Sequence, residues 1–237
     1  METTAGMLLD GRYAPLTFAI GYIRADLEVA VAAMENWRKK QVHGLSVRHL
    51  DDSTNLETAL KFLDPLSIPR TRELLLETKT RLWTAYFDNG ANGADPSSTV
   101  GHLAQVLGCD AVALRCIPRT SPAMYATVQM EIFGPQNLDF LNYVRSISAT
   151  DDGGKWRFVV AGEPQPFEVP EMYRSRKVRD RFTPAMLAQY AQALGIEVFD
   201  PRYYGNRGCL FTYRYAGTPP NEITLHARQN QLRESRV

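Results

Sequence analysis

Apolar positions recur along the chain in two rhythms, and these divide it into strands and helices. Ala14–Arg24, APLTFAIGYIR, is a run of aromatic and β-branched residues and predicts a strand. Past Asp26, placed to cap a helix, Leu27, Ala30, Val31, Met34 and Trp37 return at helical spacing. Leu45–Leu50 alternates as a strand does, and Thr54–Leu63 predicts a short helix stopped by Pro65. Arg72–Thr78 and Arg81–Asp88 predict a hairpin. Val100, Leu103, Ala104 and Leu107 stripe a further helix, with Gly108 at the place of a C-terminal glycine. Ala111–Ile117 and Tyr125–Phe133 predict two more strands.

The last third runs in a similar order. Tyr143–Ala149 and Trp156–Val160 flank TDDGGK, a hairpin turn by composition. A helix is expected from Thr183, with Pro184 in its first turn and Leu187, Tyr190, Ala191 and Leu194 as its stripe. Ile196–Phe199 and Leu210–Tyr215 predict strands. At one constant offset, Val100, Leu103, Ala104, Leu107 and Gly108 fall on Leu187, Tyr190, Ala191, Leu194 and Gly195, and AQVLGCDAV faces AQALGIEVF. Trp83 and Trp156 each fall in the second strand of a hairpin, with a longer link to the helix in the second copy. The pattern predicts an α+β fold with antiparallel-rich sheets, helices packed on one face, and two related ββαβ halves. The halves would span 1–120 and 121–216, joined near Arg119–Met124 or Gly134-Pro135. A polar, basic tail, 217–237, is expected to be partly disordered.

Composition narrows the function. The 237 residues are 44% hydrophobic and 22% charged, with a net charge of +1, so nothing draws the whole molecule to nucleic acid or membrane. No apolar run approaches the roughly 20 residues of a membrane span. Met1–Asp10 lacks the basic start and apolar run of a signal peptide. Cys109, Cys116 and Cys209, odd in number and without metal spacing, read as reduced thiols. A cytoplasmic location is the expectation.

Between the hairpin and the next helix lies DNGANGADP. As a phosphate cradle it has Gly90, Gly93 and a helix start, but no lysine, and its spacing is neither that of a P-loop nor GxGxxG. As a calcium loop, Asp88, Asn89, Asn92 and Asp95 supply oxygens without the EF-hand order or its terminal glutamate. The local account is the stronger one: two Asn-Gly turns, then Asp95 as the cap of a helix that opens on Pro96. Ser98 and His102 are four apart on one helix, yet no GxSxG surrounds the serine. His43, His49 and His226 lie near no cysteine or paired carboxylate, which speaks against zinc. Nothing in the sequence calls for a cofactor.

YRSRKVRDRF, 173–182, carries Arg174, Arg176, Lys177, Arg179 and Arg181 against Asp180. It reads either as a basic patch for a partner, or as a solvated face that Glu168 and Glu171 partly neutralise. Tyr203 and Tyr204, in FDPRYYG, read as contact residues or as anchors of their loop.

FAIGYIRA at 18–25, WTAYFDNG at 83–90 and FEVPEMYRSRKVRDRFTPAMLAQYAQALGIEVFDPRYYG at 167–205 together resemble a group of uncharacterised bacterial cytoplasmic proteins, some of them similar to toxin-immunity proteins. The resemblance covers most of the chain but rests on structural motifs, and no catalytic residue can be carried over from it. The absence of a catalytic constellation in the sequence points to a non-enzymatic binding protein, and the resemblance points to one of the immunity type, which binds and neutralises a toxin. The candidate contact residues are Asp88, Asn89, Asn92, Asp95, Arg174, Arg176, Lys177, Arg179, Arg181, Tyr203 and Tyr204. Two other readings stand behind it. One is an enzyme with a loop–helix site at Asp88, Asp95, Ser98 and His102. The other is nucleic-acid binding through Arg174–Arg181, which would weaken steeply with salt.

Overall fold

The computed structural model describes residues 7–117, 125–138, 141–217 and 219–234. In chain order it contains β1 (Ala19–Ile23), α1 (Leu27–Arg38), β2 (His43–Leu50), α2 (Leu56–Lys61), β3 (Leu66–Ile68), β4 (Arg72–Thr78), β5 (Thr84–Asp88) and α3 (Ser97–Leu107). There follow β6 (Ala111–Ile117), β7 (Thr127–Phe133), β8 (Tyr143–Asp152), β9 (Lys155–Ala161), α4 (Pro184–Ala193), β10 (Tyr204–Arg214), β11 (Asn221–Ile223) and α5 (Leu225–Glu234). Nine strands form one antiparallel sheet in the order β2-β10-β4-β5-β1-β6-β7-β8-β9. β3 and β11 pair in a small second sheet. The fold is α+β, as the pattern predicts.

Helices cover both faces of the large sheet rather than one. Every residue of β1 and β5 is buried, so both sides of these central strands need cover. Ile23, Leu75, Tyr86, Ala113 and Phe211 pack with α1 and α3 through Leu27, Met34, Val100 and Leu103. Ile20, Tyr22, Leu74, Phe87 and Leu114 pack on the other face with α2 and α4 through Leu56, Leu60, Leu187 and Tyr190. Here lies the correction to the expected duplication. α3 and α4 have matching stripes but sit on opposite faces, and Ile196–Phe199 is a turn that sends Ile196 and Val198 into the core.

The expected halves share one sheet. β10 runs between β2 and β4, although it comes from the C-terminal half. Gly134-Pro135 joins β7 to its partner β8, and the other expected boundary, 119–124, lies outside the described residues. The tail is structured over 219–234. β11 pairs with β3, the Arg228 guanidinium donates to the Ala91 carbonyl (2.9 Å), and the Gln229 amide donates to the Arg12 carbonyl (2.7 Å). Its composition looked disordered because its partners are backbone carbonyls far away in sequence. Among the described residues, no helix is long and apolar enough to cross a membrane.

Local chemistry sets the turns. Gly153 and Gly154, both at positive φ, make the two-residue link between the paired Asp152 and Lys155. Gly108 is left-handed (φ 65°) and ends α3, while the Thr183 hydroxyl accepts the Met186 N–H and opens α4. Gly21 answers a different need. A Cβ there would lie 2.5 Å from Val100 Cγ1 and 2.9 Å from Pro96 Cβ, so only glycine lets the start of α3 lie on β1. Gly21→Ala is expected to lower unfolding free energy by about 1–3 kcal/mol. An unchanged thermal midpoint would show that this contact yields freely.

Candidate functional site

The loop after β5 is held from within. Asn89 is fully buried. Its carbonyl oxygen accepts the N–H groups of Thr71 (2.8 Å) and Arg72 (3.0 Å), and its amide donates to the Pro65 carbonyl (2.7 Å) and Ser67 Oγ (3.0 Å). The buried Asp88 carboxylate accepts the N–H groups of Gly90 (2.9 Å) and Asp95 (3.2 Å), with Arg70 Nη1 at 3.3 Å. Burial pushes this carboxyl up, against the pull of Arg70. Arg70 also donates to the Asp95 carbonyl and to Thr99 Oγ1, each at 3.0 Å. Asn92 accepts from Arg228 at 3.2 Å, and the Asp95 carboxylate pairs with Arg115 at 3.2 Å. Asp95 therefore does not cap α3; Pro96 holds that position without a side-chain bond, because the carboxylate turns to Arg115.

A shallow cavity of about 360 Å³ lies over this loop, lined by Arg70, Asp88, Gly90, Asn92, Asp95 and Tyr215. Ser98 is exposed and makes no hydrogen bond to His102, whose ring instead stacks on Trp37 with centroids 4.2 Å apart. Burial, then nearby Arg38, lowers the His102 pKa. Among the described residues, no group of three or more His, Cys, Asp or Glu is placed to hold a metal ion. Burial pushes the thiols of Cys116 and Cys209 up to about 12, which leaves them poor nucleophiles at neutral pH.

Beneath the loop lies a buried network that the sequence pattern did not single out. Arg38, at the end of α1, holds Glu73 of β4 through two charge-assisted bonds, Nε to Oε2 at 2.7 Å and Nη2 to Oε1. The Tyr86 hydroxyl donates to Glu73 Oε1 (2.7 Å), and Arg38 reaches Thr99 Oγ1 on α3 (3.2 Å). The Arg38 guanidinium also lies 3.9 Å from the centroid of the Trp37 ring. One signal was available: Glu73 is a charge directly before the apolar run LLL of the same strand. Its partner, on a helix that precedes it by 35 residues, was not readable.

Tyr203 and Tyr204, candidate contact residues by sequence, are buried. They are 5% and 3% exposed, and the Tyr204 hydroxyl donates to the Val198 carbonyl (2.8 Å) and meets that of Tyr22 (2.7 Å). They anchor the loop to the core.

The basic segment has the opposite character. Short 3-10 turns at Pro170–Arg174 and Val178–Asp180 carry it across the α4 face beside β9. Arg174, Arg176, Lys177 and Arg179 are exposed, while Arg181 donates to the Ser175 carbonyl (2.9 Å) and lies 5.9 Å from the Phe158 ring. The expected neutralisation by Glu168 does not occur. Its carboxylate is buried and engaged by Arg145 (Nε–Oε1 2.8 Å, Nη2–Oε2 2.7 Å), the Gln165 N–H (2.8 Å) and the Tyr173 hydroxyl (2.8 Å). Asp180 stands 3.6 Å from Arg179 in an exposed pair worth little. Among the described residues, Arg174, Arg176 and Lys177 make no ion pair.

The structure thus separates the candidates into a self-satisfied loop and a basic segment held at its roots with its cations turned to solvent. No protein-family model, curated protein or solved structure matches the chain, and the functional reading rests on these residues.

Proposed function

We propose that this is a non-enzymatic protein-binding protein of the immunity type, which occludes a bacterial toxin through the basic segment 174–181. One observation carries the reading: Arg174, Arg176 and Lys177 are exposed and make no ion pair, and Arg179 is exposed with only the solvent-facing Asp180 beside it, on a segment whose root is fixed by the buried Arg145–Glu168 pair. A braced segment loses little freedom on binding, and unpaired surface cations steer an acidic partner. The loop 88–95 supports the reading less, since Asp88 and Asn89 are buried and Asp95 is engaged by Arg115.

The test is neutralisation. Cells expressing a toxin encoded beside this gene should grow when they also make the wild-type protein. They should die when it carries Arg174→Ala, Arg176→Ala and Arg179→Ala together, at an unchanged melting temperature. Equal killing with and without the wild-type protein would end the immunity reading. Neutralisation by both forms would move the contact elsewhere.

A further inference from the structure

The large sheet ends at β9, which pairs with β8 and, among the described residues, with no further strand. Such an edge presents unpaired backbone N–H and C=O groups, and soluble proteins usually blunt it with charge, proline or a covering element. β9 contains no proline and no register shift, and Val159 and Val160 are 59% and 42% exposed. What guards the edge is charge, with cations in the majority.

That charge flanks both sides of the strand. Trp156 and Phe158 pack toward the core on the α4 face, so Lys155, Arg157 and Val159 point to the opposite face. On the α4 side, the Tyr173 and Phe158 rings lie 5.2 Å apart, and Arg181 approaches the same Phe158. These contacts seat the basic segment against β9. Arg174, Arg176, Lys177 and Arg179 therefore lie on one side of the edge and Lys155 and Arg157 on the other. The carboxylates of this region are Asp152, 3.2 Å from Arg157 at the hairpin tip, and Glu163, just past the end of β9, with Glu171 and Asp180.

We infer that β9 accepts an extended acidic segment of a protein partner as an added antiparallel or parallel strand. The inference rests on the protein-binding reading above and names the chemistry of the partner. A second copy is the wrong occupant, because pairing β9 with β9 would bring two basic segments together and, in a parallel register, set Lys155 and Arg157 against themselves. An incoming strand of alternating acidic and apolar residues meets the cations with one set of side chains and Val159 or Val160 with the other. Its main chain fills the edge. Nucleic acid would answer the charge but would leave the strand edge and the valines unused.

The probe is a fluorescein-labelled eight-residue peptide of alternating Glu and Val, titrated with the full chain by fluorescence anisotropy. Alongside it run a Lys/Val peptide, two Glu/Val peptides N-methylated on alternate residues in either phase, and a single-stranded oligothymidine. The expected result is binding of the Glu/Val peptide, weakened at least about tenfold by one phase of N-methylation and by Lys155→Glu with Arg157→Glu. Binding unaffected by either phase of N-methylation, equal binding of the Lys/Val peptide, or tighter binding of the oligothymidine would each overturn the inference. The neutralisation assay separates this from the wider reading. If Lys155→Glu with Arg157→Glu still neutralises while the Arg174, Arg176 and Arg179 variant does not, the partner is bound without the strand edge. If the wild type itself fails to neutralise, the wider reading falls first.

Discussion

Glu73→Ala is expected to lower unfolding free energy by about 3–5 kcal/mol, a large part of the roughly 5–15 kcal/mol that holds a domain together. The glutamate is fully buried, and its two oxygens take both bonds from Arg38 and one from Tyr86, with Arg70 Nε 3.5 Å away. The arithmetic of a buried pair is asymmetric. Formed together, two such charges roughly balance the water they lose; with one removed, the other stays buried and unanswered. Here the survivor is Arg38, whose side chain is 3% exposed and lies under Trp37 at the end of α1. Glu73→Gln keeps the volume and one acceptor and should fall between. Asp110→Ala is the control. It breaks a direct ion pair with Arg24 (3.0 Å), but the two side chains are 51% and 46% exposed, so the cost should stay below about 1 kcal/mol. Urea unfolding checks all three, provided the slope is unchanged and only the midpoint moves. A midpoint for Glu73→Ala close to that of Asp110→Ala would mean that Arg38 finds water or another acceptor.

That network shows where the sequence stops being informative. The stripes of α1 and α3, the Asp152–Lys155 turn and the β4–β5 hairpin are local features, each set by residues within a few positions, and all are present in the fold. Periodicity reports that a side is buried; it does not report what buries it. The stripes of α3 and α4 agree position for position, yet the helices lie on opposite faces: α4 follows a long link from the edge strand β9, and α3 a short loop from the central β5. The insertion of β10 between β2 and β4 is a pairing across most of the chain, which no window of sequence contains. A clue to two-sided burial was present in the unbroken apolar runs AIGYI and LLL, in contrast to the alternation of β8.

The candidate site divides along the same line. The glycine turns at 89–95 were recognisable as turns, and the structure satisfies most of their polar groups locally or from nearby strands. The basic segment was visible as charge. Whether Glu168 neutralised it depended on a partner 23 residues earlier, on the far side of a hairpin. Two tyrosines in a turn-rich loop fit a contact surface and a core anchor equally well by composition; the bond from Tyr204 to Val198 decides for the anchor.

Arg145→Ala should have a comparable thermodynamic effect and a different consequence. Besides its two bonds to Glu168, Arg145 donates to the carbonyls of Gly162 (2.6 Å) and Ala161 (3.3 Å), so one side chain ties β8 to the end of β9 and to the root of the basic segment. Its removal leaves the Glu168 carboxylate buried with only the Gln165 N–H and the Tyr173 hydroxyl as donors. A cost of about 3–5 kcal/mol is expected for the region that carries it. The first response should be local. Amide exchange should accelerate over 162–182 before the central strands are affected, since this segment lies at the sheet's edge and the core of β1 and β5 does not depend on it. Partner binding should then weaken although every exposed cation is retained, because a loosened segment must be ordered again on binding. Arg174→Ala supplies the contrast: an exposed residue without an ion pair, it should leave stability within about 0.5 kcal/mol and act on binding alone. Arg145→Lys keeps the charge but not the forked geometry, and should recover only part of the loss. If Arg145→Ala left both exchange over 162–182 and partner binding unchanged, the segment would owe its order to Phe158, Tyr173 and Tyr190 instead, and the buried pair would be a passenger.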